Sequence, residues 1–271
     1  MPKFSEEFLI LVQARTRSTR FPNKVLQEVC GKPILIQQLE RIRASTYSTK
    51  VVVITSENAA DDLLVDICHS NGYLTFRGSE EDVLSRHYHA AKFYGFKWIV
   101  KIPSDCPLID PKVIDAVFDG FVKDGANVDF YSNLHPATYP DGHDVEIMRF
   151  EALKYAYKHA SRPLEREHTT PFFWENPQLF SIGNHVWPSG LDYSMSHRFT
   201  LDYLQDWEFI RTIYEKLYDK DPLFDLDSIL NLLKKEPEIY HINAHLAGVN
   251  WYRNHLDELS SVDEKSTKLY E

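Results

Sequence analysis

The chain has 271 residues with 43% hydrophobic and 13% aromatic content, and 10 glycines stand against 14 prolines. These values exclude collagen-like, low-complexity and disulfide-scaffold classes. Forty acidic against thirty basic side chains leave a net charge of -10, a poor match to a duplex or an anionic membrane, so neither nucleic acid nor membrane is expected as a partner.

The predicted elements alternate. Phe8 to Gln13 is a continuous apolar run of the kind buried in a parallel sheet, and it leads into the polar stretch ARTRSTRFPNK. Gly31 and Pro33 open a helix carried by Leu35, Leu39 and Ile42, and Val51 to Thr55 is a β-branched strand. A helix from Asp61 to Ser70, a strand from Tyr73 to Phe76, a helix from Glu80 to Phe93 and a strand from Trp98 to Ile102 follow. Pro111 starts a helix through Phe121, and Val128 to Ser132 reads as a strand. Four or five such alternations predict an α/β fold, with a largely parallel sheet and helices on both faces.

Residues 133–197, rich in Pro, His and aromatics, read as an inserted arm with one helix from Phe150 to His159 and short strands near Val145 and Leu179. Arms of this kind form subunit contacts, so a homodimer is expected. Arg198 to Leu201 is predicted as a strand, Trp207 to Tyr218 and Asp227 to Lys235 as helices, and 260–271 as an unstructured polar tail on one domain spanning 1–259. Cys30, Cys68 and Cys106 have neither zinc nor disulfide spacing, and no apolar run reaches the length of a signal or membrane segment. A cytoplasmic location is expected.

Chemistry concentrates in three segments. Arg15, Arg17, Arg20 and Lys24 follow the first strand, and no acid occurs from Phe8 to Gln27, where about three would be expected by composition. Guanidinium forks, a lysine and turning backbone amides suit a polyphosphate; the alternative is a solvated basic loop. Neither Gly-x-x-x-x-Gly-Lys-Ser/Thr nor Gly-x-Gly-x-x-Gly is present, which disfavours a P-loop ATPase or a dinucleotide-binding dehydrogenase. In Ser104-Asp105-Cys106-Pro107-Leu108, Asp105 sits at a strand end, where a carboxylate beside a triphosphate would hold Mg²⁺ or cap a turn. Asp202, after Arg198-Phe199-Thr200-Leu201, is a second metal candidate or a helix N-cap.

Leu11 to Arg15, Ser18 to Lys24, Phe76 to Leu84, Ser104 to Asp110, Tyr139 to Gly142 and Arg166 to Pro171 together resemble the cytidylyltransferase family, most nearly its spore coat polysaccharide biosynthesis branch, across about 8–210. The resemblance implies a GT-A-like nucleotidyltransferase that moves CMP from CTP to a sugar acid or other small anionic acceptor. It places Arg15, Arg20 and Lys24 on the triphosphate and Ala14 and Ser18 among the nucleotide-binding residues, with Arg15, Lys24 and Asp105 in catalysis and Mg²⁺ on Asp105 and Asp202. Thr55, Ser56, Arg77, Ser79 and Asp82 would lie near the cytosine and ribose, and Ser104 would bind the nucleotide. Asp141, His143, Asp144, Glu146, Arg166 and His168 would face the acceptor. Gln13 and Asn23 depart from the proline and glycine usual in the sugar-acid enzymes, so the acceptor does not transfer by analogy. A GT-A glycosyltransferase is the rival enzyme, weakened because Pro107 stands where its second acid belongs. A catalytically silent nucleotide-binding subunit is the non-enzymatic alternative.

Overall fold

The computed structural model describes residues 7–124 and 127–269. A seven-stranded mixed sheet runs through it. Strand β1 (Phe8–Gln13) is central, and a short hairpin of β2 (Glu28–Val29) and β3 (Lys32–Pro33) leads into helix α1 (Ile34–Arg43). The chain continues through β4 (Lys50–Ser56), α2 (Asp62–Ser70), β5 (Leu74–Gly78), α3 (Val83–Tyr94), β6 (Trp98–Pro103) and α4 (Pro111–Lys123). Then come β7 (Phe130–Ser132), β8 (Glu146–Arg149), α5 (Phe150–His159), α6 (Pro163–His168), α7 (Pro171–Trp174) and β9 (Ile182–Asn184). Helices α8 (Leu204–Leu217), α9 (Leu226–Lys235) and α10 (Pro237–His241) follow.

The spatial order is β5-β4-β1-β6-β8-β7-β9, and every neighbouring pair is parallel except those that β8 makes with β6 and β7. The expected α/β fold is therefore present, with one reversed strand supplied by the arm. The alternation along β1 explains its continuous apolar run. Phe8, Ile10 and Val12 pack on one face with α1 and α4, while Leu9 and Leu11 pack on the other with α3 and α5. Burying each such side chain stabilises the fold by roughly 1.5–3 kcal/mol.

Two predictions are corrected. The segment from Arg198 to Leu201 is not a strand; it makes a single bridge, Asp141 to Arg198, because its side chains and amides are spent on tying down neighbouring loops. The residues after 259 are not a loose tail either. Ser260 and Ser261 donate to the Glu175 carboxylate, Lys268 N–H donates to the Gly248 carbonyl at 2.7 Å, and Thr267 is buried. Polarity misled here, since serines that satisfy a carboxylate just after α7 read as solvated. Residues 270 and 271 lie outside the described residues. The β2–β3 hairpin was not foreseen, since its turn puts Cys30 (φ 50°) beside Gly31 (φ 76°) and only the glycine signals a positive φ. No helix among the described residues is long and apolar enough to cross a membrane.

Candidate active site

β1 ends at Gln13, and a single buried carboxylate holds the loop that follows. Asp61 accepts from the Thr16 N–H at 2.8 Å, the Thr16 hydroxyl at 2.7 Å, the Thr55 hydroxyl at 2.9 Å, and both the N–H and hydroxyl of Ser56. Burial pushes its pKa up, but donors from Ser56, Thr16 and Thr55 more than offset this and hold it below the usual aspartate value. The Thr16 carbonyl accepts from Ser18 N–H at 3.1 Å and Asn23 N–H at 2.8 Å, closing the loop at its base, and Asn23 takes the left-handed φ of 58°. Ala14 N–H still donates to Ile54 at 3.0 Å, and the Ser18 hydroxyl accepts from Phe21 N–H at 3.3 Å.

The loop's cations divide. Lys24 Nζ reaches Asp202 Oδ1 at 2.7 Å and the Leu201 carbonyl at 2.6 Å, and Arg20 meets Asp202 Oδ2 at 2.9 Å. Arg17 pairs loosely with Glu80 at 3.5 Å, while Arg15 is exposed and makes no ion pair among the described residues. Burial alone would raise the Asp202 pKa, but Lys24, Arg20 and Arg198 hold it at about 2.

Asp105 lies at the end of β6. Its carbonyl accepts from Leu201 N–H at 2.8 Å and the Thr200 hydroxyl at 3.1 Å, which fastens the Asp202 segment to the strand end. Its carboxylate makes no ion pair among the described residues. Burial raises its pKa, Lys24 lowers it and Asp202 raises it again; Asp105 and Asp202 line one cleft, with Lys24 on Asp202. Ser104 is buried and donates its N–H to Gln13 at 3.1 Å.

Apart from Ser104 after β6, the expected nucleoside residues lie at or after the carboxyl ends of β4 and β5 and are turned largely to local bonds. Thr55 and Ser56 are committed to Asp61. Arg77 clamps the loop after β4, donating to the carbonyls of Ser56 and Asn58 at 2.9 and 2.7 Å and to Asp62 at 2.6 Å. Ser79 accepts from Asp82 N–H at 3.0 Å, and Asp82 caps α3 by accepting from Ser85 N–H at 2.8 Å.

A cavity of about 870 Å³ takes in Arg20, Asp105 and Asp202 and continues to Asp141, His143, Asp144, Glu146 and His168. Arg166 is not among the lining residues; it donates to the Ala160 carbonyl at 3.0 Å and meets Asp82 at 3.3 Å. Asp141 faces Arg198 at 3.5 Å, and Glu146 pairs with Lys101. Asp144 has no cation partner among the described residues, and its pKa is pushed up to about 7 by burial and then by Asp105 and Glu146. His143 is buried, and His168 is stacked on Trp251 at 3.8 Å, with burial lowering its pKa. Gly142 (φ 110°) is required here, since a Cβ would come within 2.6 Å of the Phe199 carbonyl carbon.

Sequence reasoning missed Asp61, Lys101 and the Arg198–Asp206 pair, whose bonds at 2.9 and 3.0 Å fix the segment leading to Asp202. Lys101 left a signal, being a lone charge inside the apolar strand WIVKIP. Asp61 and Asp206 left none beyond that of an acid near a helix start. Among the described residues no three His, Cys, Asp or Glu side chains form a metal cage. Magnesium needs only one or two protein carboxylates beside substrate phosphates, and the oxygen donors of Asp105 and Asp202 fit that demand.

The sequence profile of the cytidylyltransferase family matches residues 9–247. An uncharacterized protein of Methanocaldococcus jannaschii is 35% identical over 87% of this chain and 94% of its own, and the spore coat polysaccharide biosynthesis protein SpsF of Bacillus subtilis is 27% identical over 86% and 96%. A solved cytidylyltransferase from Leptospira borgpetersenii superposes with a TM-score of 0.81 at 33% identity, covering 87% of this chain and 97% of that one. The solved CMP:2-keto-3-deoxy-manno-octonic acid synthetase, complexed with CTP, shares the fold at a TM-score of 0.58 and 16% identity, covering 78% and 99%. By its profile match and its full-length relatives, this chain belongs to the cytidylyltransferase family.

Proposed function

We propose that the protein transfers CMP from CTP to an acceptor hydroxyl with release of pyrophosphate, in the assembly of a surface glycoconjugate. One observation carries the reading: Lys24 and Arg20, from the acid-free loop, converge on Asp202 in the cleft that also holds Asp105. Cations and acids meeting at the carboxyl ends of β1 and β6 are what a triphosphate with its counter-ion requires. The CTP held by the octonic acid synthetase of the same fold, and the polysaccharide role in the name of the Bacillus relative, support the choice of substrate and setting.

In this reading Arg15, Arg20 and Lys24 grip the phosphates, and the two cations that now neutralise Asp202 turn to them. Asp105 and Asp202 would hold Mg²⁺, which when bound neutralises charge on the phosphate oxygens. The acceptor oxygen attacks the α-phosphorus, the bond to the β-phosphate bridging oxygen breaks, and pyrophosphate leaves. Of the acids considered for the acceptor proton, Glu146 is occupied by Lys101 and Asp144 is free to take it. The test is pyrophosphate release from CTP with Mg²⁺ and a panel of sugars, polyols and sugar acids. CMP-linked product with at least one acceptor is expected. CTP binding without turnover would favour a silent subunit, and hydrolysis of a nucleotide sugar in its place would favour a glycosyltransferase.

A further inference from the structure

Helix α3 carries a buried arginine whose side chain makes no hydrogen bond or ion pair among the described residues. Arg86 is 2% exposed, and its Nε and Nη1 are sealed from solvent without an acceptor, which leaves Nη2 as the nitrogen that reaches the surface. The other buried arginines are engaged. Arg41 donates to the carbonyls of Ile109 and Phe224 at 2.8 and 2.6 Å, and Arg198 holds Asp206 at 2.9 and 3.0 Å. A desolvated guanidinium without a countercharge destabilises a fold, and such groups mark sites where a ligand supplies the missing charge.

The place of Arg86 says which ligand. Helix α3 packs on β1, β4 and β5, and the Arg86 stem lies against the end of β5, where a Cβ on Gly78 would come within 3.3 Å of Arg86 Cγ. The carboxylates around it are taken: Asp61 by Thr16, Thr55 and Ser56, and Glu80 by Asn58 Nδ2 at 2.9 Å and Arg17 at 3.5 Å. Burial lowers the Arg86 pKa to about 10, and of the charges around it Arg15 acts most strongly and lowers it further, against Asp61 and Glu80. Two guanidinium groups without an ion pair therefore meet at the carboxyl ends of β1 and β5. A base edge offers only dipoles, whereas a phosphate brings the full countercharge and the paired oxygens that a guanidinium fork bonds. Resting on the CMP-transfer reading, we propose that Arg86 is a further phosphate-binding residue, unpaired in the free protein and neutralised by the triphosphate of CTP beside Arg15.

The test is calorimetric titration of the full chain with CTP and with inorganic tripolyphosphate, each with Mg²⁺, and thermal unfolding without ligand. Arg86→Met binds both phosphates at least about tenfold more weakly, the weight of one charge-assisted contact, yet unfolds about 2–4 °C higher because a buried unpaired charge is gone. Arg86→Gln is the second uncharged variant and shows the same loss of both ligands, while Arg86→Lys keeps the charge and restores most of the tripolyphosphate affinity. Unchanged affinity in the uncharged variants, a loss confined to CTP with tripolyphosphate bound as before, or a lower unfolding temperature in Arg86→Met would each overturn the proposal. A wild type that binds neither ligand would instead overturn the CMP-transfer reading, so the two failures are told apart by the wild type alone.

Discussion

The two sides of the cleft are built in opposite ways. The basic loop comes from one continuous stretch and is held at its base by one buried carboxylate, Asp61. The acceptor cavity is assembled from pieces far apart in the chain, around Asp141 to Glu146, His168 to Trp174 and Trp251 to Ser266. A contiguous loop can be read from residue types and spacing. A wall made by chain crossings depends on packing that no local window contains.

The comparison breaks most clearly at Lys24. Lys24→Ala and Asp105→Ala should each cut turnover by about 100- to 1000-fold in a pyrophosphate-release assay with thermal unfolding nearly unchanged, as expected when a preorganised charge is lost. Near-normal rates would remove the loop from catalysis. On the acceptor side, Glu146→Gln leaves Lys101 buried without its countercharge and should cost about 3–5 kcal/mol of stability in urea titrations. A smaller loss would mean that the pair is solvated.

Asp61→Ala should cost about 3 kcal/mol and raise the KM for CTP more than it lowers kcat, since it frees the base of the loop without touching a reacting atom. An unchanged KM would make Asp61 purely structural. Its pH signature follows from a lowered carboxyl. The stabilisation is present above the ordinary aspartate pKa of about 4 and is lost as pH falls through the depressed folded value. The stability gap between wild type and Asp61→Asn should therefore be widest near neutral pH and close in acid. Arg166→Ala, outside the cavity lining, should cost under about 1 kcal/mol and leave kcat within about twofold; a large loss of acceptor affinity would return it to the site.

The fold was largely legible because β1, β4 and β6 are continuous apolar runs separated by helices with a clear stripe. β8 was legible only as a strand near Val145, since its reversed pairing is a long-range choice. Lys24, Arg20, Asp105 and Asp202 were named from the sequence and share one cleft. The roles of Thr55 and Ser56 in holding Asp61 were not legible, because a hydroxyl at a strand end looks the same whether it faces a ligand or a buried acid. Arg166 was named with His168 as a cation for an acceptor anion; in the structure it bonds Ala160 and Asp82, while His168 stacks on Trp251.

The central claim is that the loop's cations hold the triphosphate of CTP opposite Asp105. Calorimetric titration of wild-type and Lys24→Ala protein with CTP and Mg²⁺ tests it most directly. The wild type should bind one CTP per chain, and Lys24→Ala should bind at least about tenfold more weakly, a difference of about 1.4 kcal/mol. Equal affinity in the two proteins would contradict the account.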